Sequence, residues 1–273
     1  MPLERSSPDR GQRAVIDPAT DHPARRARLA IREGRHTGSS RGLAMGYVQC
    51  NLVIIPHQHA FDFLLYCQRN PRACPVLEVT DPGNPEPRRT APGADLRTDL
   101  ARYTVWRNGQ REPDCTDIRD LWRDDLVAFL IGSGITFDQA LERAGVPTDR
   151  DRWVLNTNLP TESAGRFAGP LVVTMRWLSP EQAIIATQVS ARFPFNHGPP
   201  IHIGDPAAIG ADLAKPLFGP PVDHVPADRM AVFWACGVTP QAAAEQAGLD
   251  LLIAHAPAHS FVSDLLADRV CQP

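Results

Sequence analysis

Hydrophobic and polar positions along this chain follow two rhythms, one near the helical period and one near two. Residues 23–35 set apolar side chains among arginines at helical spacing and predict an amphipathic helix, followed by a Gly- and Ser-rich loop. Residues 48–55 read as a buried strand stopped by Pro56, with Tyr47, Gln49 and Asn51 at alternate positions and therefore on one face. Phe61, Leu64, Leu65 and Gln68 return to helical spacing, and Asn70-Pro71 ends that helix. Residues 76–80 predict a short strand and 81–92 an exposed loop rich in proline and charge. Residues 103–107 alternate, and Asn108-Gly109 signals a hairpin turn. Residues 118–130 mix both rhythms and point to neither type, whereas 137–144 predict a short helix closed by Gly145.

The pattern sharpens toward the C-terminus. A strand is expected over 171–175, and Ser179-Pro180-Glu181 supplies an N-cap, an N1 proline and an early acid for a helix reaching about residue 192. Residues 230–235 form a buried strand and Cys236-Gly237-Val238 turns the chain. Thr239-Pro240 opens a helix over 241–247, Gly248 closes it, and 251–254 form a second buried strand. Such a strand–helix–strand unit normally makes a parallel pair with a right-handed crossover. The expected fold class is α/β, a mixed or mainly parallel sheet flanked by helices, with a smaller inserted α+β subdomain. The expected organisation is a flexible tail over 1–22, a discontinuous main domain over 23–95 and 190–273, and an insert over 96–189.

Composition narrows the function. The 273 residues suffice for a large core. A net charge of −3 provides no global field toward nucleic acid or an anionic membrane, so neither partner is expected. Lys215 is the single lysine and lies in a Leu-Ala-Lys-Pro loop, so no pyridoxal phosphate is expected. The six cysteines form no CxxC pair and no Cys-His zinc grouping, and read as reduced thiols of a cytoplasmic protein. No apolar run approaches the roughly 18 residues of a membrane span, and the N-terminus lacks the apolar stretch of a secretory signal.

Ligands of open α/β sheets bind beyond the carboxyl ends of the strands. The C-terminal unit puts Cys236, Gly237 and Thr239 at one such end and His255, with His259, at the next. The helix start at Thr239 offers free amides to an anion. The segment from His197 to Pro206 has the same grammar, with a short strand over 201–203 and Asp205-Pro206 as N-cap and N1. His197, His202 and Asp205 are candidate acids, bases or metal ligands. The plainer account is that Asp205 only caps a helix and one histidine is a satisfied core residue. Asp95, Arg97 and Asp99 cluster in 91–99 as a binding group or simply an ion-paired loop.

The segments GYVQCNLVIIP, AFDFLLYCQRNPRACPVLEV, APGADLRTDLARY, DIRDLWRDDLVAFLIG, GPLVVTMR, HGPPIHIGDPAAIG, VFWACGVTPQAA and HAPAHSFVSDL occur in that order. They resemble the motif set of the D-glutamate cyclase family from about residue 35 to 265. The resemblance implies a hydro-lyase that converts D-glutamate to 5-oxo-D-proline with loss of water. Three departures stand out: Gly132-Ser133-Gly134 where the family pattern reads Gly-Cys-Ser, Ala258 and Ser260 where it reads glycine and methionine, and Trp177 where it reads proline.

On that reading His202 or His255 is the base, Asp205 orients a histidine or acts as acid, and His197 and Cys236 are further catalytic candidates. Asn51, Asp95, Arg97, Arg176, Gly237, Thr239 and His259 are candidates for holding a small amino-acid-like carboxylate. A divalent metal on His197, His202, Asp205 or His259 is an option the chemistry does not require. Two rival readings stay open: a noncatalytic binding protein for a small amino acid or oxo-acid, and a hydro-lyase for a related hydroxy acid. A homodimer is the base-rate expectation.

Overall fold

The computed structural model describes residues 22–148, 152–224 and 226–271, so the tail expected over 1–22 lies almost wholly outside the described residues. Among these residues the helices include α1 (Pro23–Arg32), α2 (His57–Arg69), α3 (Asp138–Arg143), α4 (Pro180–Ala191) and α5 (Val238–Gln246). None is long and apolar enough to cross a membrane.

The first sheet holds β1 (Tyr47–Pro56), β2 (Val76–Val79), β3 (Tyr103–Arg107), β4 (Gln110–Arg111), β5 (Leu126–Gly132), β10 (Leu251–His255) and β11 (Phe261–Leu266). Its order is β2-β5-β1-β10-β3-β4, with β11 also paired to β1. The second sheet, in the order β6-β7-β9-β8, comprises β6 (Arg152–Pro160), β7 (Pro170–Leu178), β8 (His202–Ile203) and β9 (Met230–Ala235).

The central strand β1 shows why its sequence is so apolar. Val48, Cys50, Leu52 and Ile54 enter one core, while Val53 and Ile55 enter another with Phe63 and Tyr66 of α2. A strand covered on both faces needs apolar residues at odd and even positions alike. Gln49 and Asn51 share the face of Val53 and Ile55 and are buried too. At the hairpin, Asn108 and Gly109 take φ of 51° and 75°, the paired positive values of a type I′ turn. Helix α4 begins with a complete capping box between Ser179 and Gln182.

The expected parallel pairing is overturned. Every pairing between named strands is antiparallel. The strand–helix–strand unit over 230–255 exists, but β9 joins the second sheet through β7 and β10 joins the first through β1 and β3. Hydrophobic pattern sets the type of each strand and not the sheet it enters, so the unit bridges two antiparallel sheets. The ambiguous stretch 118–130 resolves into a single 3-10 turn, Arg119–Leu121, followed by β5. The 81–92 loop is less exposed than expected: Thr90 and Ala91 are buried, and the Glu78 carboxylate accepts both the Arg89 and Thr90 amides.

Candidate functional site

A cavity of about 310 Å³ is lined from both sheets, a volume at the small end for ligand sites. Its position follows from a break in pairing along β1. The start of β1 pairs with β11 (Cys50↔Phe261) and its end with β10 (Val53↔Ala254). Between these partners the chain leaves the sheet, and Pro257, Ala258 and Ser260 line the cavity. At the break, the Leu52 amide lies 3.2 Å from Nδ1 of His255. The same nitrogen lies 3.4 Å from the Leu52 carbonyl, so the Leu52 backbone can engage Nδ1 in either tautomer.

The contacts of His197 fix its tautomer. It follows the 3-10 turn Pro194–Asn196 at φ 80°, rare for a non-glycine residue. Two contacts with Arg72 hold it there: His197 Nδ1 donates to the Arg72 carbonyl at 3.0 Å, and Arg72 Nε donates to the His197 carbonyl at 3.2 Å. Nε2 of His197 is therefore an acceptor. Burial lowers both histidines to about 4 and keeps them neutral near pH 7. The cavity thus holds a ring lone pair at His197 and a second neutral imidazole at His255.

The positive charge comes from the second sheet. Arg152 of β6 and Arg176 of β7 are direct ladder partners, an arrangement that repels unless countered. Asp138, the first residue of α3, counters it, accepting Arg176 Nη2 at 2.5 Å and Arg152 Nη2 at 2.7 and 2.8 Å. Burial pushes the Asp138 carboxyl up, but the two arginines together outweigh it and hold it below its usual range. Burial, aided by Arg152, lowers Arg176 to about 10, which leaves it charged at neutral pH. Arg176 lies 5.7 Å from the Trp234 ring centroid. Arg41 adds a third guanidinium to the lining. Among the described residues the lining holds no carboxylate.

Gly237 N-caps α5 and lines the cavity with Val238, so the amide end of that helix adds to the positive potential. A Cβ at Gly237 would lie 1.8 Å from Asn51 Nδ2, so only glycine permits this approach. Cys236 lines the cavity, but burial raises its thiol and keeps it protonated, which argues against a thiolate nucleophile. Ser133 Oγ approaches Ser260 Oγ at 3.5 Å. No histidine hydrogen-bonds Ser133 among the described residues, so it lacks the base that activates a serine. Two of the departures from the family pattern therefore meet at one spot.

Of the residues singled out in the sequence, Asn51, Arg176, His197, Cys236, Gly237 and His255 line this cavity. The others do not line it. His202 bonds through Nε2 to the Asp205 carbonyl and packs on Phe233, and Asp205 caps a 3-10 turn by accepting the Ala207 amide. Asp95 and Arg97 pair with each other, and Asp99 pairs with Arg32. The Thr239 hydroxyl is engaged by the Val172 backbone, and His259 Nδ1 by the Pro257 carbonyl. No three His, Cys, Asp or Glu side chains form a metal-ligating group among the described residues. His197, His202, Asp205 and His259 are accordingly not gathered. Sequence reading missed Arg41, Asp138 and Arg152. Asp138 has the look of an ordinary first-turn acid, and Arg152 opposes Arg176 only once strand pairing is known.

The family model described as D-glutamate cyclase matches residues 127–264. A protein of Stutzerimonas stutzeri named "Putative hydro-lyase" is 50% identical over 89% of this chain and 94% of its own length. Relatives carrying the same hydro-lyase name in Geobacillus kaustophilus and Rubrobacter xylanophilus are 50% and 52% identical, over 90% and 88% of this chain and 96% and 95% of their own. The crystal structure of a nitrogen repressor-like protein, MJ0159 from Methanococcus jannaschii, aligns with a TM-score of 0.36 and 12% identity over 84% of this chain and 90% of that one. A likeness of that size carries no argument.

Proposed function

This chain belongs to the D-glutamate cyclase family, and from that membership we propose that its cavity cyclises D-glutamate to 5-oxo-D-proline with release of water. The observation that supports this most is the pairing of an arginine-lined wall with two neutral histidines in one small cavity.

The reaction joins the substrate amine to its own side-chain carboxyl carbon. One N–C bond forms, one C–O bond breaks, and the two surplus ammonium protons leave with the departing oxygen as water. Three things are then required of the protein. The non-reacting carboxylate must be held, the amine must be deprotonated, and the departing oxygen must be protonated. Arginines serve the first need. Their excess positive charge also favours the neutral amine over the ammonium, which eases the second. His197 Nε2 takes one ammonium proton and gives it up to the departing oxygen, the second passes to the same oxygen from the attacking nitrogen, and the neutral His255 ring supplies a hydrogen-bonding partner in the cavity. Folding the chain so that amine and carboxyl meet supplies much of the rest, because the reaction is intramolecular.

A second reading, a hydro-lyase for a related hydroxy acid, gains support from the Ser133–Ser260 hydroxyl pair, which adds polar capacity at one end of the cavity. Chiral mass spectrometry after incubation with D-glutamate, L-glutamate and a chelator-treated sample separates the two. Enzyme-dependent 5-oxo-D-proline is expected. Folded protein that leaves both enantiomers untouched would move the assignment to the hydroxy-acid reading or to binding without turnover.

A further inference from the structure

We infer that Arg152 and Arg176 form a seat for one carboxylate of a short dicarboxylate, with Asp138 as the residue that positions both guanidiniums. The inference rests on the anion-binding reading of the cavity and assigns that role to particular donors.

Two guanidiniums facing each other across a ladder are an unstable pair by themselves. Asp138 satisfies only the Nη2 group of each. A guanidinium carries five N–H donors, and here Arg176 Nη1 and Arg152 Nε stay buried with no acceptor among the described residues. Native proteins rarely leave buried donors unmade, because each costs its full desolvation. These two donors are sealed from solvent and do not themselves meet a ligand; what calls for an anion is the excess charge, with Arg152, Arg176 and Arg41 lining the cavity against the single carboxylate of Asp138. A carboxylate fits the planar forks and supplies the charge that Asp138 alone does not. Trp234, Phe137 and Phe218 provide apolar wall for a short carbon chain. His255 and His197 lie on the other elements of the cavity and leave the second carboxyl at the reacting end.

The test uses glutarate, a five-carbon dicarboxylate with no amine and hence no route to cyclisation. Binding to the full chain is measured by calorimetry and thermal shift, with circular dichroism confirming the fold of each variant. Wild-type protein should bind glutarate, and Arg152→Gln should weaken it roughly ten- to hundredfold, the loss of a charge-assisted pair. Asp138→Asn should also weaken it, although it raises the positive charge of the cavity. The double variant should lose less than the sum of the two single losses, since part of what Asp138 does runs through Arg152 and the rest through Arg176. Fully additive losses would mean that Asp138 does not act through Arg152 and would overturn its positioning role. If Arg152→Gln does not fold, Arg152→Lys keeps the charge without the fork and should bind glutarate more weakly than wild type. Glutarate affinity that ignores a folded Arg152 variant overturns the seat, even where D-glutamate is converted. Arg152-dependent glutarate binding with no conversion keeps the seat and removes the cyclase reading.

Discussion

Ala258 lines the cavity at φ 62°, where the family pattern carries glycine. A left-handed alanine is strained, and glycine there removes the strain at some cost in unfolded-chain entropy. Ala258→Gly is therefore expected to stabilise the protein by roughly 0.5–1 kcal/mol, read as a higher urea midpoint at unchanged slope. A lower midpoint would show that the loop holds its shape without strain. The buried histidines make a prediction of opposite character. His197 and His255 are lowered from 6.5 to about 4, so the unfolded chain binds more protons than the folded one between those limits. Stability is then full above about pH 6.5 and falls as the pH drops toward 4, by up to about 3 kcal/mol per histidine. His255→Gln and His197→Gln should each flatten part of that fall in urea titrations across the window. An unchanged slope in both would place the acid sensitivity elsewhere. At this scale the sequence was half legible. His255, His197 and Arg176 sit in motifs that can be read along the chain, while Arg152 and Asp138 gain their meaning only from partners 14 to 38 residues away.

Elements were easier to read than their pairing. Turn and cap chemistry is local, so Asn108-Gly109 and the Ser179 capping box are found where their sequences place them. The two strands that escaped, β6 and β11, show why apolar rhythm has limits. β6 alternates in burial, but buried Thr157 breaks the apolar face and Val154 puts an apolar residue on the other. β11 ends in half-exposed Asp264 and Leu265. Both are held by neighbours rather than by their own composition. The parallel expectation failed for a related reason. A strand, a nine-residue helix and a second strand suit a crossover equally well whether the strands share a sheet or, as β9 and β10 do, belong to different ones. That division is what places Cys236 and Gly237 on one side of the cavity and His255 on the other.

At the scale of the molecule, the cavity is lined from both sheets, and one close contact joins them beside it. Gly237 follows β9 of the second sheet, and Asn51 lies on β1 of the first. The Asn51 amide fills the place a Cβ at Gly237 would take, 1.8 Å away, while its Nδ2 donates to the Gly132 carbonyl at 3.1 Å. Gly237→Ala must therefore displace a buried side chain and break its hydrogen bond, or push the start of α5 away from β1. Either response should cost roughly 1–3 kcal/mol, as overpacking does. It should also lower turnover more than stability explains, because the helix end and His255 would no longer face each other at their present spacing. Removing the obstacle tests the cause: in an Asn51→Ala background, Gly237→Ala should lose most of its penalty, giving a coupling well above the few tenths of a kcal/mol expected of independent sites. Additive effects of the two changes would mean that the sheets are registered by their cores alone. The arginine wall and the histidines would then be held at their spacing by hydrophobic packing, with the Asn51–Gly237 contact incidental to it.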